Sequence, residues 1–181
     1  MGYAFARFAF VLQPQDLLVL LKLVEGSPSW TFDSVAHELD IGSSSVHRSV
    51  NRAAEAGLFD RQRKAVNTPA LLEFLVHGAR YVFPPVWQGE ARGRPTAWAA
   101  PPLADRLVSS RERIPVWPDP EGKIRGIGLE PLHPAVPDAV RKDHLLAELL
   151  ALFDSIRIGD ARERELARQE LERLLGPEPH P

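Results

Sequence analysis

The 181-residue chain has no cysteine, which excludes disulfides, thiolate metal sites and a cysteine nucleophile and suits a reducing compartment. It also lacks an apolar run long enough to span a bilayer. The opening "MGYAFARFAFVLQPQD" is apolar but short, and Gln13, Gln15 and Asp16 follow it. That opening has no basic leader and no small-residue cleavage site, so no signal peptide is expected. Ala6 stands where a myristoylation signal starting at Gly2 needs Ser or Thr. A soluble, cytoplasmic protein with no membrane partner is the expectation. Charge of one sign is missing as well: a formal net charge of −2 excludes a bulk polycation. Repeats and low-complexity tracts are absent.

Catalytic signatures are equally sparse. His37, His47, His77, His133, His144 and His180 are scattered without metal-type spacing. No Gly-x-Ser-x-Gly elbow or phosphate loop occurs. Gly126 and Gly128 in "GKIRGIGL" match a dinucleotide fingerprint only in part and lack its helix. His77 is expected to bond a backbone carbonyl at a helix end. No catalytic residue, metal or cofactor is expected, and the chain does not read as an enzyme.

An ordinary globular composition remains, 44% hydrophobic and 25% charged, which argues against wholesale disorder. Its charge is unevenly placed. Residues 42–94 carry eight basic side chains against four acidic ones, a local +4, so the remainder totals −6. Within that basic stretch lies "IGSSSVHRSVNRAAEAGLF".

Pro14 can open a Leu-rich, well-buried helix that breaks at Ser27, Pro28 and Ser29. Trp30 and Phe32 flank Thr31 as a short extended piece. Asp33 is expected to cap "SVAHEL", whose inward residues are Val35, Ala36 and Leu39. "DIG" turns the chain into a third helix from Ser43 to Gly57, with Val46, Val50 and Ala53 as its inward stripe. "LFDRQ" and "KAVN" read as two short strands joined at Arg63-Lys64. Thr68-Pro69 is expected to cap and start a fourth helix, "PALLEFLVHGA".

That order is the order of a winged helix-turn-helix. Opposite the valine stripe lie Ser44, Ser45, His47, Arg48, Asn51 and Arg52, with no acid among them. Hydroxyls and guanidinium groups suit phosphates; Arg forks onto guanine and Asn onto adenine in a major groove. Free amides at the helix start add a preference for anions.

The stretch "WTFDSVAHELDIGSSSVHRSVNRAAEAGLF" also resembles the helix-turn-helix of MarR-like bacterial winged-helix regulators, and "KAVNTPALLEF" resembles their wing exit and following helix. The likeness covers about residues 14–79. Position by position it implies DNA contacts from Ser43, Ser44, Ser45, His47 and Arg48, and phosphate or minor-groove contacts from Arg61, Arg63 and Lys64. The sequence departs at Asp40, where such turns carry Gly, and at Gly42, where they carry a capping Ser or Thr. Asp tolerates a left-handed backbone, and Ser43 is expected to take over the cap.

Beyond Gly78 the texture turns to strand and loop, with "DPEGK" a turn between extended arms. "EARGRPTAW" reads either as a second DNA-contacting arm or as a solvated turn. Trp87, Trp98 and Trp117 read as core or interface anchors. From Pro137 the chain is helical again, and Asp160 with Glu163 forms a capping box for the last helix. The Leu145–Phe153 band either packs on the first domain or mediates self-association.

The expected fold is α+β: a winged helix-turn-helix over 1–79, a strand- and loop-rich extension over 80–136, and a helical region over 137–181 for dimerisation or partner docking. The expected function is sequence-specific binding of double-stranded DNA by a homodimeric transcriptional repressor. The contacting residues are Ser43, Ser44, Ser45, His47, Arg48, Asn51, Arg52, Arg61, Arg63 and Lys64. The alternative is a protein-interaction module, such as the antitoxin that holds a toxin.

Overall fold

A proline at the first helical position has no amide to lose, and Pro14 opens the first helix for that reason. In the computed structural model, which describes residues 11–25, 29–107 and 113–176, α1 runs Pro14–Leu23. The apolar opening over 1–10, the break over 26–28, and the tail "PEPHP" with its His180 lie outside the described residues. Leu17, Leu18, Val19, Leu20, Leu21 and Leu23 are all buried, because α1 is held between α3 and α7.

Helix α2 spans Phe32–Leu39. Its cap is Thr31, not Asp33: Thr31 Oγ1 accepts from Ser34 N–H at 3.0 Å, and Ser34 Oγ accepts from Thr31 N–H at 2.9 Å. Asp33 falls inside the first turn and is exposed. Asp40 then takes the left-handed conformation (φ 51°, ψ 47°) expected of the turn, and its N–H bonds Ala36 O and His37 O. Helix α3, Ser43–Glu55, buries Val46, Val50 and Ala53 as the spacing predicts.

Strands β1 (Phe59–Asp60) and β2 (Ala65–Val66) pair antiparallel. Asp60 Oδ1 shapes the loop between them by accepting from the N–H groups of Gln62 (2.8 Å) and Arg63 (3.0 Å). Helix α4, Thr68–Glu73, takes its cap from Asn67, whose Oδ1 accepts from Ala70 N–H. Thr68, the expected cap, is instead the first helical residue. One wide turn over Phe74–Gly78 leads into α5, Ala79–Val82. His77 is exposed in that turn, and its ring bonds no carbonyl among the described residues.

The extension is more regular than its composition suggests. Strand β3, Trp87–Pro95, lies antiparallel to both β4, Pro115–Pro118, and β5, Ile124–Leu129. Strands β4 and β5 pair with each other in parallel, which closes the three into a small barrel. The "DPEGK" turn exists, yet its two arms do not form a hairpin. The link is clamped onto β3 instead: Asp119 N–H bonds Arg92 O, and Gly122 lies so close to Gly93 that a Cβ there would stand 2.4 Å from its backbone.

The short helix α6 is Val136–Ala139, α7 is His144–Ile158 and α8 is Ala161–Leu175. Asp143 caps α7, and Asp160 with Glu163 forms the expected capping box on α8. Helix α7 is buried throughout 149–156, although its first residue, His144, is exposed, so most of its apolar band is used inside the chain. Cores that the sequence divides at 79 and 136 are continuous, running from Leu17 through Leu103 and Trp117 to Leu175. No described helix is long and apolar enough to cross a membrane.

Candidate nucleic-acid interface

Helix α3 begins without a side-chain cap. Gly42 has none to offer, and its carbonyl accepts from the N–H groups of Ser45 and Val46. The capping role expected of Ser43 is not taken up. Helix starts leave amides without intrahelical partners, and among the described residues no side chain caps them.

Around this end the sequence-derived residues gather on one outward face. Ser44, His47 and Arg48 are exposed; Ser43, Ser45 and Asn51 are half-buried. Arg48 Nη2 donates to Ser45 Oγ at 2.9 Å, and it has no carboxylate partner among the described residues. Asn51 Nδ2 lies 3.2 Å from His47 Nδ1, one helical turn away. The edge of Phe32 meets the His47 ring, with centroids 5.1 Å apart. These contacts lie along the strip, so it is loosely pre-ordered, and among the described residues Ser44, His47 and Arg48 stay exposed.

The hairpin adjoins the C-terminal half of α3. Arg61 Nη2 bonds Glu55 at 2.7 Å and reaches Asn51 O at 3.4 Å. Glu55 lies on the same helix as the strip, and Arg61 balances it. Arg63 is 85% exposed, with Asp60 Oδ2 a loose 3.7 Å away. The Arg63 amide, opposed by desolvation and aided by the Gln62 amide and the nearby Arg63 charge, holds the Asp60 carboxyl below its usual pKa. Lys64 is exposed at a left-handed position (φ 52°). Its carbonyl accepts from Trp30 Nε1 at 3.2 Å, and Trp30 packs edge-on against Phe32 and Phe59. The indole thereby fixes the hairpin to the helices.

Arg52 does not belong to this face. Its Nε and Nη2 fork onto Asp16 at 2.8 and 2.6 Å, and the Asp16 side chain is fully buried. Those hydrogen bonds raise the guanidinium's pKa. Asp16 in turn accepts from Gln13 N–H, while Gln15 Nε2 donates to Ser49 Oγ at 3.0 Å. The network joins α1 to the inner side of α3, and the expected phosphate contact from Arg52 is withdrawn.

"EARGRPTAW" is not a solvated turn, because Glu90–Pro95 belongs to β3. Arg94 Nε bonds the buried carboxylate of Asp119 at 2.9 Å, and Arg141 Nη2 bonds it at 3.0 Å. Trp98 and Trp117 are buried, whereas Trp87 is half exposed.

Sequence reading missed the buried acids. Asp154 accepts from Thr96 Oγ1 (2.7 Å), Trp117 Nε1 (2.7 Å), and Arg157 Nε (3.0 Å) and Nη2 (2.6 Å). A single acid inside the apolar run "LALFDSI" was its signal, since such a group is buried only with partners. Four donors saturate the carboxylate, so it is a structural tie with no lone pair left for proton transfer. Among the described residues no group of three or more His, Asp or Glu stands close enough to hold a metal ion. No protein-family model, no curated protein and no solved structure matches the chain.

Proposed function

We propose that the first three helices and the hairpin act as a winged helix-turn-helix that binds double-stranded DNA, with α3 entering the major groove, and that the protein works as a transcriptional repressor. The observation that carries this reading is the outward face of α3: serine hydroxyls, imidazole, amide and a guanidinium with no carboxylate partner among the described residues, beside a helix start with no side-chain cap there, and no acid on the strip. Arg48, Asn51, His47 and Ser44 approach base edges, and Ser43, Ser45, Arg61, Arg63 and Lys64 hold phosphates. Because α7 is buried within the chain, a second copy on a symmetric operator would have to associate through another surface.

The test begins with duplexes enriched by the wild-type protein from a random pool. Arg48→Ala should lose about 1–3 kcal/mol of discrimination between enriched and random duplex. Lys64→Ala should weaken both equally and lower the salt slope by about 0.9. Fluorescence anisotropy at two or more salt concentrations reads both effects. Wild-type protein that enriches no sequence, or binding that ignores both changes, would overturn the reading.

A further inference from the structure

The barrel carries a second concentration of positive charge, well apart from α3 in the sequence. Strands β3 and β5 are in continuous register from Glu90 to Gly93, and Arg92 lies directly opposite Arg125. Partners across an antiparallel ladder project from the same face with Cβ atoms ~5 Å apart, and like charges so placed destabilise a sheet. Both arginines are exposed, as is Lys123 two residues before Arg125.

An acid beside them would relieve the repulsion, but the neighbouring carboxylates are engaged elsewhere. Glu90, on the same face two residues from Arg92, is 3.5 Å from Arg113. Asp119 is taken by Arg94 and Arg141, and Glu121 also pairs with Arg141. Among the described residues neither Arg92 nor Arg125 has an ion-pair partner. Two guanidinium forks on one ladder, facing one way and without an ion-pair partner among the described residues, form a receptor for an oxyanion bridging them. In a chain of net charge −2, such a pair is not a by-product of general basicity.

We propose that Arg92 and Arg125 form a second phosphate-binding element, contacting the backbone of duplex DNA without reading its sequence. The choice of DNA as the phosphate's source rests on the reading of α3; the receptor geometry does not. Backbone contacts of this kind add affinity and salt dependence equally for every sequence.

The experiment uses the full chain and the double variant Arg92→Gln/Arg125→Gln, which keeps most of each aliphatic stem and removes both charges. Anisotropy on enriched and random duplexes, from low to moderate salt, should show the salt slope reduced by about 1.8. Affinity for both duplexes should fall at least about tenfold near 0.1 M salt, with the ratio between them unchanged. The melting temperature should stay level or rise, because the repulsion is gone. An unchanged slope in a folded variant overturns the proposal. Arg48→Ala, measured alongside, separates the two ideas. Should it lose discrimination while the double variant binds like wild type, the barrel pair falls and α3 stands. Should it change nothing while the double variant loses binding, α3 falls and the barrel pair stands.

Discussion

Arg52 shows how one side chain can look functional by spacing and be structural by partner. On a helical wheel it continues the strip of His47, Arg48 and Asn51, but its guanidinium turns inward to a carboxylate with no solvent exposure. Breaking such a pair leaves an uncompensated buried charge, which costs about 3–5 kcal/mol. Arg52→Ala should therefore lower the urea midpoint strongly. Asp16→Leu with Arg52→Met removes both charges at similar volume and should restore most of that stability. A single-variant midpoint close to wild type would show that the pair contributes little. This tie was not legible in the sequence, because Asp16 lies 36 residues from Arg52. Helical spacing says which residues share a face; it does not say which long side chain folds back across the edge.

Local elements were legible where a local signal controls them. Pro14, the Asp160–Glu163 box, the Val46–Val50–Ala53 stripe and the turn at Asp40 all follow from chemistry within a few residues. The barrel was not, since β4 and β5 both pair with β3 across distant stretches and the link between them seats Gly122 against Gly93. The entry to α6 carries a prediction at this scale. His133 Nδ1 accepts from Ala135 N–H at 3.1 Å and His133 O accepts from Val136 N–H, so the ring must be neutral at Nδ1 to hold the turn. Burial lowers its pKa below the ordinary 6.5. A group lowered on folding contributes stability that is complete above its unfolded value and lost as pH falls through its folded one. Urea midpoints measured from pH 7.5 down to 5.5 should therefore decline for the wild type below about pH 6.5. His133→Gln should flatten that decline; an equally steep one in the variant would assign the effect to other groups.

At the scale of the whole molecule, two polar ties bind regions that composition separates. Lys22 of α1 reaches Glu38 of α2 at 2.5 Å and Asp143, the cap of α7, at 2.7 Å. Burial opposes its charge, but the hydrogen bonds to Asp143 and Glu38 prevail and raise its pKa. Asp154 ties α7 to the barrel through Thr96 and Trp117, while Arg157 is held 4% exposed beside it. With α1 needing α7 to cover its leucines, the first 79 residues lack part of their core when alone. The full chain should accordingly unfold as one unit, with tryptophan fluorescence, dominated by buried Trp98 and Trp117, and far-UV circular dichroism tracing the same urea transition. Asp154→Ala orphans Arg157 and two further donors, and should move both transitions down together by about 3 kcal/mol or more. A fluorescence change that runs ahead of the helical signal in the wild type would mean that the barrel opens independently. The barrel arginines Arg92 and Arg125 would then sit on a part of the chain that opens before the helices do.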